Sequence, residues 1–307
     1  MIIFNNGSLS NVLGFQQSDT PGVDPPPSLL LDIMSDAIVA VSVRKIRTGY
    51  TGNCMKIRRF PENDTIDIGF DSNGNLDVAA IFDFVGSGSA YVDTWYGQQG
   101  GTDANLNFTQ GTLAQQPRVA DLFTNSTSYD SGVTKASVRF GIGGRDDRLT
   151  SGSISGTITN THTIYLVAKR DDLTEEHAFY TTNGNLPVMK APKSNALEYY
   201  VTNYTPGQDG QFFSNVGTGD LTNPFIFKLS VDGVNGFDST LNKTRNQTAT
   251  FTNANSFVPK TGIPLNLGYW FSSTKLLGNI SEFILVPNVA YKDTEREDLI
   301  NSYYGVY

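Results

Sequence analysis

Several short apolar runs in this chain have the period of a β-strand, and polar turn residues separate the runs. The run FIFKLSV is the clearest: Phe225, Phe227, Leu229 and Val231 share one face, Ile226, Lys228 and Ser230 the other, and Asp232-Gly233 follows as a turn. Val39, Val41 and Val43 alternate in the same way. Met55–Arg59, 91–96, 136–140, 163–169, 197–204 and 280–286 read as further strands, and Asn73-Gly74 is a hairpin-turn signal. Only 17% of the 307 residues are charged, which suits many strands joined by Gly, Asn, Thr and Ser turns better than a helical bundle. An all-β fold is expected, large enough for one sizeable core or two smaller ones.

Two segments carry helical spacing instead. Asp77 can cap a helix whose apolar residues are Val78, Ile81, Phe82 and Val85, with Gly86 placed to end it. Near the C-terminus Thr294 and Glu297 fit a capping box ahead of Leu299, Ile300, Tyr303 and Tyr304. Residues 1–27 differ from both patterns and end in Asp24-Pro25-Pro26-Pro27, an extended spacer. They read either as an arm that docks on a partner or another subunit, or as a tail lying on its own domain. The main domain is expected over 28–307.

Several function classes are set aside on chemistry. The net charge of −8 argues against a phosphate-tracking nucleic-acid role. Cys54 is alone, so no intrachain disulfide is available, and a buried thiol is expected. The start MIIFNNGSLS has no basic region followed by an apolar core, so no signal peptide is expected. The apolar stretch 29–43 is broken by Asp32, Ser35 and Asp36, so no membrane span is expected either. No phosphate loop and no Gly-x-Ser-x-Gly elbow occurs. Asp71, Asn73, Asn75 and Asp77 alternate like a calcium loop, but the glycine stands at the fourth position, and a turn before a capped helix accounts for them. Asp146-Asp147 reads as an arginine-flanked surface turn. His162 and His177 are the only histidines, with no zinc spacing. No metal or other cofactor is expected.

From Asp67 the chain reads DIGFDSNGNLDVAAIFDFVGSGSAYVDTWYGQQGG: an extended segment, a turn, a short helix, an aromatic strand and a glutamine/glycine loop. This order resembles the catalytic-domain sandwich of family 54 α-L-arabinofuranosidases and the lectin-like phage proteins similar to it. A Leu-rich opening leading into Ser42-Val43-Arg44-Lys45, and a final strand, helix and aromatic-Gly ending, extend the likeness over 28–307. It is strongest at 38–118 and 278–307. The resemblance implies a concanavalin-A-like jelly-roll β-sandwich that faces carbohydrate.

The chain departs from the enzymes where their chemistry would lie. Their aromatic strand is followed by Tyr-Asp-Gln-Ser-Gly-Asn-Gly; here Tyr96 is followed by Gly97 in the aspartate's place. No carboxylate occurs in 263–281, and the vicinal cysteine pair is missing. A retaining glycosidase needs two carboxylates roughly 5 Å apart. Asp93, Glu198 and Glu282 remain, each in a strand pattern that fits a solvent-facing carboxylate, so no catalytic residue is assigned.

Binding finds more support in the residues. Tyr91, Trp95, Tyr96, Tyr269 and Trp270 lie close to loops rich in Gln, Asn and Gly, and Gln98, Gln99 and Asp103 can supply polar contacts to sugar hydroxyls. The other reading puts at least one of Trp95 and Tyr96 in the core and makes the Gln/Gly loop a structural turn. With the phage resemblance, these residues point to a virion surface protein: a spike, fibre or tail component, made in the host cytoplasm. It would bind host-surface glycan without cleaving it and meet other virion proteins through residues 1–27. The resemblance further suggests a homo-oligomer, a trimer for choice. A glycoside hydrolase with displaced acids, and a purely structural capsid or tail protein, are the alternatives.

Overall fold

The computed structural model describes residues 29–34, 36–101, 106–182, 185–200, 212–232, 236–249, 260–270, 274–288 and 294–307. The arm at 1–27 and Asp103 lie outside these. The described residues form an antiparallel β-sandwich, as the strand-period pattern implies. One layer runs, in hydrogen-bonded order, Val39–Ser42, Gly278–Val286, Thr161–Arg170, Phe225–Asp232, Gly236–Leu241, Thr244–Ala249. The other runs Thr65–Ile68, Met55–Arg59, Ala90–Trp95, Phe108–Thr109, Leu149–Ser153, Pro264–Leu267, His177–Thr182, Asn185–Ala191, Ala196–Tyr200, Phe212–Thr218. Arg118–Asp121 and Ala136–Phe140 carry the pairing from one layer to the other. Side chains meet between the layers: the rings of Tyr180 and Phe283 are 4.9 Å apart, and the Trp95 Nε1–H donates to the Ser42 carbonyl at 3.2 Å.

The Phe225–Asp232 strand shows why both of its faces are buried. Its apolar side faces the other layer, while Lys228, on the polar side, is covered by helix α2 (Thr294–Tyr304). Lys228 Nζ stands 3.7 Å from Glu297 Oε2, and the Thr240 hydroxyl donates to Glu297 Oε1 at 2.5 Å. Glu297 is therefore turned into the sheet and does not fold back in the capping box that its spacing with Thr294 suggests. Neutralising a buried ammonium outweighs satisfying one helix-end N–H. Helix α1 (Val78–Val85) follows its sequence signals: Asp77 accepts from the Ala80 N–H at 3.0 Å, and Gly86 closes it at φ 56°. Its apolar stripe is less buried than its spacing implies. Ile81 is buried but Phe82 is exposed, because α1 packs against the edge strand Thr65–Ile68, whose own side chains are mostly exposed.

The turn at Asp71 uses its carboxylate locally. One oxygen accepts from the N–H groups of Asn73 and Asn75, the other from the Asn75 amide, and Gly74 takes φ 80°. Cys54 is buried, which pushes its thiol pKa up. Asp146 lies at the surface with Lys275, but Asp147 does not: it is buried against Arg145 at 3.1 Å, and burial raises its carboxyl to about 6. No helix among the described residues is long and apolar enough to cross a membrane.

His162 carries a pH dependence. Its Nδ1–H donates to the Thr159 carbonyl and its Nε2 accepts from the Tyr199 hydroxyl, both at 2.7 Å, inside the sandwich. Burial lowers its pKa to about 4. The unfolded chain has the ordinary value near 6.5, so it binds the proton first as pH falls. This contribution to stability is whole above pH 6.5 and is lost between there and pH 4. Urea unfolding at pH 7 and 4.5 should show the parent losing about 2–3 kcal/mol more than His162→Asn. Equal losses in the two proteins would remove His162 from the acid response.

Candidate functional site

The strand Ala90–Trp95 and the loop after it divide their side chains between two tasks. Trp95 takes the core position, at 0% exposure. Gln98 and Gln99 are buried as well, and their amides serve backbone. Gln98 accepts from the Ile46 N–H at 2.9 Å and donates to the carbonyls of Ser42 and Arg44. Gln99 accepts from the Ala40 N–H and donates to the Leu106 carbonyl, both at 2.9 Å. The physical reason is an edge. Val39–Ser42 pairs with Gly278–Val286 on one side, and the glutamines satisfy the peptide groups on the other.

Tyr96 has the opposite fate. Its ring and that of Tyr50 line an open cleft of about 580 Å³ with Arg47, Asn53 and Asn107. The Tyr96 hydroxyl donates to Asp67 Oδ1 at 2.6 Å, and the Tyr50 hydroxyl to the Asn53 carbonyl at 2.8 Å. Burial raises the Tyr50 hydroxyl to about 12, and burial together with the Asp67 contact raises that of Tyr96 further, so both stay neutral donors. Asn107 accepts from the Gly97 N–H at 3.0 Å, which joins the two walls of the cleft.

Gly97, which the resemblance matches to an aspartate, has no room for a side chain. A Cβ there would lie 2.2 Å from the Leu106 carbonyl oxygen and 2.4 Å from the Gln99 amide nitrogen. Gly97→Asp is therefore expected to lower stability by at least about 2 kcal/mol in urea titration and to create no arabinosidase activity. A well-folded, active variant would contradict this account of the loop.

The remaining aromatics lie elsewhere. Tyr91 is buried beneath arginines. Tyr269 and Trp270 pair with Thr274–Lys275 in a short ribbon. There the Trp270 ring is 6.1 Å from that of Tyr200, and Lys190 Nζ lies 5.5 Å from Trp270. Lys190 also touches Glu176 at 3.2 Å and Glu198 at 3.5 Å, so these two carboxylates share one ammonium. Asp93 is half-buried and accepts from the Thr94 hydroxyl. Glu282 is not solvent-facing, as its strand pattern suggests, but fully buried. It binds Arg44 at 2.9 and 3.2 Å and accepts from the Ser42 hydroxyl at 2.7 Å, because Arg44 enters the same layer and must be neutralised there. His177 is held by Asp172 on Nε2 at 3.2 Å and by the Leu277 N–H on Nδ1 at 2.9 Å.

Sequence reasoning reached Tyr96 and missed Tyr50, Arg47, Asn53 and Asn107. The first three lie in RTGYTGN, which reads as an ordinary glycine turn, and only tertiary structure brings it to the loop after Trp95.

No family model matches the chain, and no curated protein matches it. Among solved structures, an arabinofuranosidase complexed with arabinofuranosyl-α-1,2-xylobiose aligns at TM-score 0.57 and 15% identity, over 91% of this chain and 65% of that one. A family 54 α-L-arabinofuranosidase soaked with a cyclic sulfate inhibitor aligns at TM-score 0.58 and 14% identity, with coverage of 91% and 65%. This chain thus spans 65% of the length of those structures, and the likeness at these identities is one of fold.

Proposed function

We propose that this chain is a carbohydrate-binding β-sandwich whose saccharide site is the cleft between Tyr50 and Tyr96. The observation that carries this is the convergence of two tyrosine rings with a guanidinium and two amides in one open cleft. Aromatic faces suit the C–H surfaces of sugar rings, and Arg47, Asn53 and Asn107 offer donors and acceptors for hydroxyls. The fold it shares with an arabinofuranosidase complexed with a substituted xylobiose supports a saccharide ligand.

The finer reading is attachment of this domain to a virion surface as a spike, fibre or tail component, recognising host glycan without cleavage. It rests on the phage likeness of 28–307 and on the proline-ended segment at 1–27, whose partners would be other virion proteins. A homo-oligomer would multiply weak sugar contacts into useful avidity.

A glycan array with the full-length protein tests the reading, with bound sugars then checked for cleavage. Retention of intact glycans that falls at least tenfold in Tyr96→Ala, with stability changed by less than about 2 kcal/mol, is the expected result. Retention untouched by both Tyr96→Ala and Tyr50→Ala would remove the cleft from binding.

One observation favours hydrolysis as a second reading: Glu176 and Glu198 meet at Lys190 beside Tyr200 and Trp270. Release of reducing sugar that is abolished by Glu198→Gln would support it. Against it, Lys190 neutralises both carboxylates, which leaves no carboxyl dedicated to proton transfer.

A further inference from the structure

Three guanidinium groups gather around Tyr91. The Cζ atoms of Arg58, Arg118 and Arg145 lie 4.6, 4.8 and 5.1 Å from its ring centroid, and Arg118 donates to its hydroxyl at 2.6 Å. Two of the three, Arg58 and Arg145, line a pocket of about 450 Å³ together with Phe60, Asn63 and Leu113. No carboxylate is among the lining residues. In a chain of net charge −8 this is a local concentration of positive charge, and the acids that flank Asn63 in the chain are paired elsewhere, Glu62 and Asp64 lying 3.9 and 2.6 Å from Arg59. Asp147 meets Arg145 Nε at 3.1 Å from a buried position, and Asp93 is engaged by Thr94 and Gln116. Burial, with the charge of Arg145 adding to it, lowers the pKa of Arg58.

Both guanidinium groups are held in place before any ligand arrives. Arg58 donates to Gln116 and Asn63 at 2.6 Å and to the Leu113 carbonyl at 3.4 Å. Arg145 donates to the carbonyls of Ala114, Leu113 and Gln116 at 2.9–3.2 Å. These anchors use three of the five N–H groups of each fork. A pre-oriented guanidinium loses little side-chain freedom when it takes an oxyanion, and the N–H groups that the anchors leave, both on Nη1 in Arg145, remain to donate to a carboxylate or sulfate. Phe60, 60% exposed, and Leu113, 46% exposed, add an apolar rim to the charged floor.

We propose that this pocket is an anion subsite that takes a carboxylate or sulfate group carried on a sugar-sized ring. The oxyanion would sit against Arg58 and Arg145, and the C–H face of the ring against Phe60. The site is separate from the Tyr50–Tyr96 cleft and stands or falls independently of it.

Calorimetric titration of the full-length protein with D-glucuronate, D-glucose and inorganic sulfate tests it. Glucuronate is expected to bind at least tenfold more tightly than glucose, and more weakly as salt rises. Arg145→Lys and Arg58→Lys keep the charge but lose the anchored guanidinium, and should each weaken glucuronate about tenfold. Because both arginines also anchor the 113–116 segment, Phe60→Ala provides a readout free of folding effects. It should weaken glucuronate several-fold and leave sulfate unchanged, and Tyr96→Ala should change neither. Sulfate binding without a preference for glucuronate over glucose would keep the oxyanion and overturn the ring. Equal affinity for glucose and glucuronate without sulfate binding, no saturable binding at tens of millimolar ligand, or unchanged glucuronate affinity in all three pocket variants would overturn the site.

Discussion

Replacing Trp95 by alanine is expected to destabilise the protein by about 3–5 kcal/mol, the range for deleting a large aromatic from a close-packed core. The side chain is completely buried, and its indole N–H reaches from Ala90–Trp95 to the Ser42 carbonyl in the facing layer. That carbonyl keeps the Gln98 amide as a donor at 3.1 Å, so the loss is mainly a cavity and not an orphaned acceptor. The contrast with its neighbour makes the test informative. Tyr96→Ala removes a half-exposed ring and one hydrogen bond to Asp67, and should cost far less. Urea midpoints for the two variants measure the difference directly. A Trp95→Ala protein as stable as the parent would mean that the layers do not pack through this residue.

Removing the Glu282 charge should be as damaging. Glu282→Gln leaves the Arg44 guanidinium buried without its counter-charge, and breaking one side of a buried pair costs about 3–5 kcal/mol. The environment offers little relief. Arg44 is 6% exposed, with the rings of Tyr303 and Tyr304 at 5.3 and 5.7 Å from its Cζ. Those faces attract the cation but cannot replace a two-point contact at 2.9 and 3.2 Å. The double variant Arg44→Met, Glu282→Leu should recover most of the loss, since apolar side chains of similar size tolerate the same space. Chemical denaturation of Arg44→Met, Glu282→Leu and the double variant gives the coupling energy of the cycle. Additive losses in the double variant would show that the two side chains do not stabilise each other.

The fold was largely legible because its signals are local. Met55–Arg59 and Ala136–Phe140 come out at the bounds that their alternation implies, and Asp77 and Gly86 bracket α1. A strand period or a helix cap depends on residues within one turn of chain, and those stand side by side in the sequence. The site was far less legible. Gln98 and Gln99 have the composition of a sugar-binding loop, yet all but one of the peptide groups that their amides serve lie more than fifty residues upstream, at Ala40 to Ile46. Glu282 alternates like a surface residue, but the arginine that draws it inward is 238 positions away. Whether a polar side chain faces water or another strand's backbone depends on which edge lies opposite, and alternation does not encode that.

The sequence by itself determined the all-β class, the positions of eight strands and both helices, and the likeness to the arabinofuranosidase sandwich, because these rest on periodicity and short-range chemistry. Only the tertiary structure decided that Trp95 packs while Tyr96 lines a cleft with Tyr50, that Gly97 has no space for an acid, and that Arg58 and Arg145 share one pocket. Each of these depends on segments distant in the chain being folded into contact, where burial and the pairing of charges and peptide groups set what each side chain can do.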